Sequence, residues 1–209
     1  MWCGLHQLDL VLKHVYADLY DKEVVNIMKK FITHLRIQQG LINQMQATCP
    51  QLTTRWLVMG HVCTWLLAKC ITLFKYIGNA EDSVDCAPPP NWWWIIIAGI
   101  KALTDVINLV FVKLQAPNLL ISVQAELLDS LAVDIATMIG ISSWEEGDLL
   151  GQFSLMYEKR WSVDYATVQR FLQGLSMHTW HTVDELNVDM TKKVFESVEN
   201  LQSGLLMRL

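Results

Sequence analysis

Six consecutive large apolar residues, Trp92, Trp93, Trp94, Ile95, Ile96 and Ile97, constrain this chain more than any other stretch. They follow Pro88, Pro89, Pro90 and Asn91, and the helical pattern they open runs to about Gln115, where Pro117 breaks it. A helix that starts this way is apolar on every side, so it must be enclosed by other elements or docked against a partner. The uninterrupted apolar run lasts nine residues, from Trp92 to Ile100, before Lys101. A bilayer span needs about 20, so no transmembrane helix is expected.

The rest of the chain supplies amphipathic helices that could enclose it. Through residues 4–20, Leu5, Leu8, Leu12, Val15, Tyr16 and Leu19 recur at helical spacing. After Asp21, Lys22 and Glu23, a second helix places Val24, Ile27, Met28, Phe31, Ile32 and Leu35 on its buried face, with Lys29 and Lys30 on the solvated side. Gly40 is placed to interrupt it, and Pro50 ends what continues to Cys49. Thr53 or Thr54 suits the N-cap of a single helix reaching about Ile77, because its hydroxyl can take an orphan amide. That helix should bury Trp56, Met59, Val62, Cys63, Leu66, Leu67, Cys70, Leu73 and Phe74, and Gly78 should stop it. Asn91 is the expected cap of the Trp-led helix, and residues 119–139 form the second arm of a hairpin with it. Further helical starts follow at Ser143 and Ser162, and a last helix covers 182–201.

No alternating strand pattern of useful length and no internal repeat is present. The expected fold is all-α, a multi-helix bundle without a β-sheet core. Its parts are residues 1–78, an acidic and proline-rich linker at 79–90, and residues 91–209.

Charge divides along the same boundary. Residues 1–78 hold eight Lys/Arg (13, 22, 29, 30, 36, 55, 69, 75) against four Asp/Glu, a net +4; residues 79–209 hold eight against seventeen, a net −9. A polyanion would be met by the first third, although such an excess also suits an ordinary solvated surface. The five cysteines (3, 49, 63, 70, 86) are scattered without a CxxC pair, and no signal peptide is evident. A reduced, intracellular protein, nuclear or cytoplasmic, is expected. Cys63 and Cys70, two turns apart on one face, read as buried thiols.

Two short blocks carry the chemistry. Cys3 and His6 share a helix face, yet they make only half of the four ligands a structural zinc needs, and no second pair stands at ligand spacing with a Cys. A packed cysteine and a hydrogen-bonded histidine is the favoured reading over half a zinc site, and no metal or cofactor is expected. Arg55-Trp56 at a helix start reads either as a core Trp beside a solvated Arg, or as a phosphate contact with a base-stacking ring. A Gly-rich phosphate loop, a Ser nucleophile elbow and an HExxH motif are all absent from the sequence.

Cys3-x-x-His6-x-Leu8-x-Leu10, followed by Thr54-Arg55-Trp56-Leu57 about fifty residues on, resembles the hAT superfamily of cut-and-paste DNA transposases. The likeness covers residues 1–78 well and fades beyond about residue 140. It implies the helical domain inserted into a ribonuclease-H-like core between the second Asp and the Glu of its two-metal site. Carried across, Cys3 and His6 match the first block. Thr54, Arg55 and Trp56 match the second, whose Trp helps stabilise DNA at the transposon end.

The departures bear on activity. The chain begins almost on the first block, so the strands and two Asp residues that precede it in the family are expected to be missing, as is a BED-type finger. The dimerisation block and the region of the catalytic Glu are not found. Two-metal chemistry needs converging carboxylates, so a catalytically inactive fragment with DNA binding or protein association through residues 1–78 is expected. The alternative is an all-helical protein-interaction module anchored by Trp92, Trp93 and Trp94, self-associating or binding another protein. A membrane-surface role for the same stretch lacks basic flanks on its N-terminal side.

Overall fold

A computed structural model describes residues 4–18, 22–53, 58–79, 87–139, 165–175, 183 and 185–206. The described residues form nine helices and no strand: α1 (Gly4–Asp18), α2 (Glu23–Ile37), α3 (Gln39–Met45), α4 (Val58–Ala68), α5 (Cys70–Asn79), α6 (Asn91–Leu114), α7 (Ile121–Met138), α8 (Tyr165–Leu175) and α9 (Val188–Leu206). The protein is all-α. Helical starts expected at Ser143 and Ser162, the start of the helix expected from Thr182, and residues 80–86 of the linker lie outside the described residues.

Helix α6 is the axis of the bundle. Trp92, Trp93, Trp94, Ile95, Ile96 and Ile97 are all buried, and α6 packs against α1, α4, α7, α8 and α9. A stretch with no polar face has thus been enclosed by the chain itself. The tryptophans are 4%, 0% and 6% exposed, which corrects the alternative that used them as surface anchors for a partner. The Trp93 indole N–H donates to the Val24 carbonyl at 3.0 Å, so its polar atom is matched inside the core. Phe31 of α2 meets Trp93 and Trp94 edge-on, each with ring centroids 6.2 Å apart, and Trp93 and Trp94 are themselves near-perpendicular at 5.2 Å. Edge-to-face pairs of this kind contribute about 0.5–1.5 kcal/mol each beyond their buried area.

Averaged over its best 18 residues, α6 has a mean hydropathy of 2.1 and is long enough to cross a bilayer, as are α4 and α5 taken together across their bend. The shorter apolar run on which no span was expected understates this, because the scattered polar residues after Lys101 dilute the pattern only slightly. Half of that α6 stretch is buried inside the bundle.

The expected amphipathic faces are in place. Leu8, Leu12, Val15 and Tyr16 of α1 are buried, as are Val24, Val25, Met28, Phe31, Ile32 and Leu35 of α2; Lys29 and Lys30 are exposed. The break after α2 falls at Gln38, two residues before the glycine expected to cause it, and Gly40 sits inside α3. The single helix expected to reach Ile77 is instead two, α4 and α5, bent by 65° at Lys69. Both pieces meet α6: α4 packs along it, and Phe74 of α5 reaches Trp94 near its start at 5.0 Å between centroids. Phe74 is 40% exposed and Cys70 half-buried, against the expectation of full burial. Gly78 lies within the last turn of α5, and the cap position of α6 falls on Pro90 with Asn91 in the helix.

Helices α6 and α7 form the expected hairpin, turned by Pro117 and by Asn118 with φ 65°. The charge boundary at 79–90 does not divide the core: one apolar cluster draws on α1, α2 and α4 from one side and on α6 to α9 from the other. Polar clasps join the two sides. The Gly4 amide donates to Gln124 Oε1 at 2.9 Å, and Lys193 reaches Glu23 at 2.7 Å while lying 3.9 Å from the Trp92 ring centroid.

Candidate nucleic-acid interface

Of the residues singled out in the sequence, Cys3, Thr54, Arg55 and Trp56 lie outside the described residues. His6 is exposed in the first turn of α1, and Thr53, the last described residue before the second block, is also exposed. The helices next to the two blocks, α1 and α4, both pack on α6.

The basic residues of the first segment are better defined. Lys13, Lys22, Lys29, Lys30 and Lys75 are exposed, and Arg36 and Lys69 are half-buried. Among the described residues, each ion pair takes its cation from the second segment: Lys101 with Asp105, Lys192 with Glu196, and Lys193 with Glu23. Arg36 has a structural partner, donating to the Cys49 carbonyl and so tying α2 to the stretch before Pro50. The five exposed lysines meet no carboxylate among the described residues.

Two of them border a concavity. Between α2 and residues 87–90 runs a groove of about 800 Å³, with Lys29, Lys30, Thr33 and His34 along α2 and Glu23 at one end. His34 is held on both ring nitrogens, Nε2 lying 3.1 Å from the Tyr76 hydroxyl and Nδ1 3.4 Å from the Gln38 amide nitrogen. If that amide N–H donates to Nδ1, the ring proton sits on Nε2 and points at Tyr76. Nothing in the sequence signalled this groove. Lys29 and Lys30 read there as solvent-facing charge, and their proximity to residues 87–90 is created by the packing of α2 on α6.

The two buried thiols, Cys49 and Cys63, offer little chemistry. Burial pushes the Cys49 thiol up to about 12, with Arg36 opposing weakly, and burial raises the Cys63 thiol further. Both stay protonated at neutral pH, and it is the thiolate that attacks or binds metal. Among the described residues no three His, Cys, Asp or Glu side chains stand close enough to hold a metal ion.

No family model, no curated protein and no solved structure matches this chain.

Proposed function

We propose that this chain is a helical module of the hAT-transposase type that binds nucleic acid through exposed lysines of residues 1–78, without a catalytic role of its own. The observation that carries the reading is the set of exposed lysines, 13, 22, 29, 30 and 75, none of them paired to a carboxylate among the described residues. Phosphate neutralisation by unpaired cations supplies most of non-specific nucleic-acid affinity. The resemblance of the Cys3-x-x-His6 and Thr54-Arg55-Trp56 blocks supports the same reading, with Arg55 and Trp56, which precede α4 in the sequence, as further candidate contacts.

A mobility-shift assay with duplex DNA tests it. Binding at low salt should weaken steeply as salt rises, each phosphate contact adding about 0.9 to the slope of log K against log salt. Absence of any shift at low salt removes the nucleic-acid reading.

The second reading is protein association, favoured by a surface other than the tryptophans. Leu109 and Val112 of α6 and Leu120 and Ile121 at the start of α7 are between 61% and 68% exposed at the turn of the hairpin. Concentration-dependent self-association without a DNA shift would leave this reading in its place.

A further inference from the structure

The groove beside α2 differs from a plain basic face, because its lining is of two kinds. Lys29 and Lys30 are adjacent, exposed and unpaired among the described residues, and Thr33 follows one turn on. The other lining is apolar: Ile27 and Ile37 from α2, with Pro88 and Pro90 from the stretch leading into α6. Ile37 is 73% exposed, a large side chain whose apolar surface is left uncovered by the fold. Glu23, the carboxylate on the wall, is held by Lys193 at 2.7 Å, so its charge is met within the protein.

Resting on the nucleic-acid reading above, we infer that this groove seats a single, unpaired nucleic-acid strand. Its phosphates face Lys29 and Lys30, and its bases lie against Ile27, Ile37, Pro88 and Pro90. A duplex keeps its base faces stacked inside and offers the apolar lining only sugar and phosphate. A single strand can turn its bases onto that lining while its backbone follows the cations. The wall from Glu23 to Ile37 is about 21 Å long at 1.5 Å per residue, which suits about four nucleotides, the low end of single-strand site sizes.

Fluorescence anisotropy on the full chain, with labelled oligo-dT and a duplex of equal length, tests the inference. Oligo-dT should bind at least about tenfold more tightly at low salt, ~1.4 kcal/mol, which burying roughly 55 Å² of apolar base and side-chain surface supplies. The double variant Lys29→Gln with Lys30→Gln should flatten the oligo-dT salt slope by about 1.4, from ~0.7 per phosphate on single strands. Ile37→Ser should weaken oligo-dT and leave the duplex unchanged; all three positions are exposed, and far-UV circular dichroism checks that the fold is kept. Equal affinity for the two ligands overturns the groove but keeps the nucleic-acid reading. So does indifference to the α2 variants with sensitivity to Lys13→Gln or Lys75→Gln. Failure of both ligands to bind overturns both.

Discussion

Replacing Gly60 with alanine tests the closest approach at any of the described glycines. A Cβ at Gly60 would lie 2.8 Å from Thr104 Oγ1 and 3.0 Å from Thr104 Cβ, where α4 crosses α6. Thr104 is 2% exposed and its hydroxyl lies 2.8 Å from the Ile100 carbonyl and 2.9 Å from the Lys101 carbonyl, so moving it away costs buried hydrogen bonding. Overpacking of this kind costs about 1–3 kcal/mol, while glycine-to-alanine in a helix returns at most about 1 kcal/mol. Gly60→Ala should therefore be destabilising by about 1 kcal/mol, a fall of about 2–4 °C in Tm for a chain of this size.

Gly99→Ala is the contrast. Its Cβ would meet Phe171 at 3.6 Å and Val198 at 3.9 Å, ordinary contact, so the propensity gain should survive and the variant should match or exceed the parent. Urea unfolding of the two single variants, of Thr104→Ala and of Gly60→Ala with Thr104→Ala completes the measurement. Trimming Thr104 removes the closest atom, so the double variant should be more stable than the sum of the singles by about 1 kcal/mol. Strict additivity, or a Gly60→Ala protein more stable than Gly99→Ala, would refute the account of this crossing.

Two further outcomes follow from the core. Lys193→Ala should cost about 1–2 kcal/mol in urea unfolding, since it loses both the Trp92 ring and Glu23; Glu23→Gln, at a more exposed carboxylate, should cost less than half as much. Cys49, raised by burial from 9.0 to about 12, binds its proton more tightly folded than unfolded. Stability should be level below pH 9 and fall as the pH rises from about 9 toward 12, with a shallower fall in Cys49→Ala; identical alkaline profiles would contradict the assignment.

The helices α1 and α2 were legible because each carries a local, one-sided apolar pattern, and burying that side is the same problem whatever the neighbour. The candidate groove was not, since a lysine on a polar face looks alike in sequence whether it borders open solvent or a concavity. The bend at Lys69 escaped for a related reason. Residues 58–77 are apolar on several faces and contain neither Pro nor an interrupting Gly after Gly60, so no local signal marks where one helix becomes two.

By itself, then, the sequence determined that the chain is helical, where its strongest amphipathic faces lie, and that residues 92–97 require enclosure. Tertiary structure alone decided what encloses them. The first segment's α2 and α4 close over α6 together with α1 and the later helices, so that Trp92, Trp93 and Trp94 became the centre of one core rather than the face of an interface. The reason is physical: periodicity reports which side of a helix avoids water, but which surface covers it depends on shape and on close approaches, such as Gly60 against Thr104, between residues far apart in the chain.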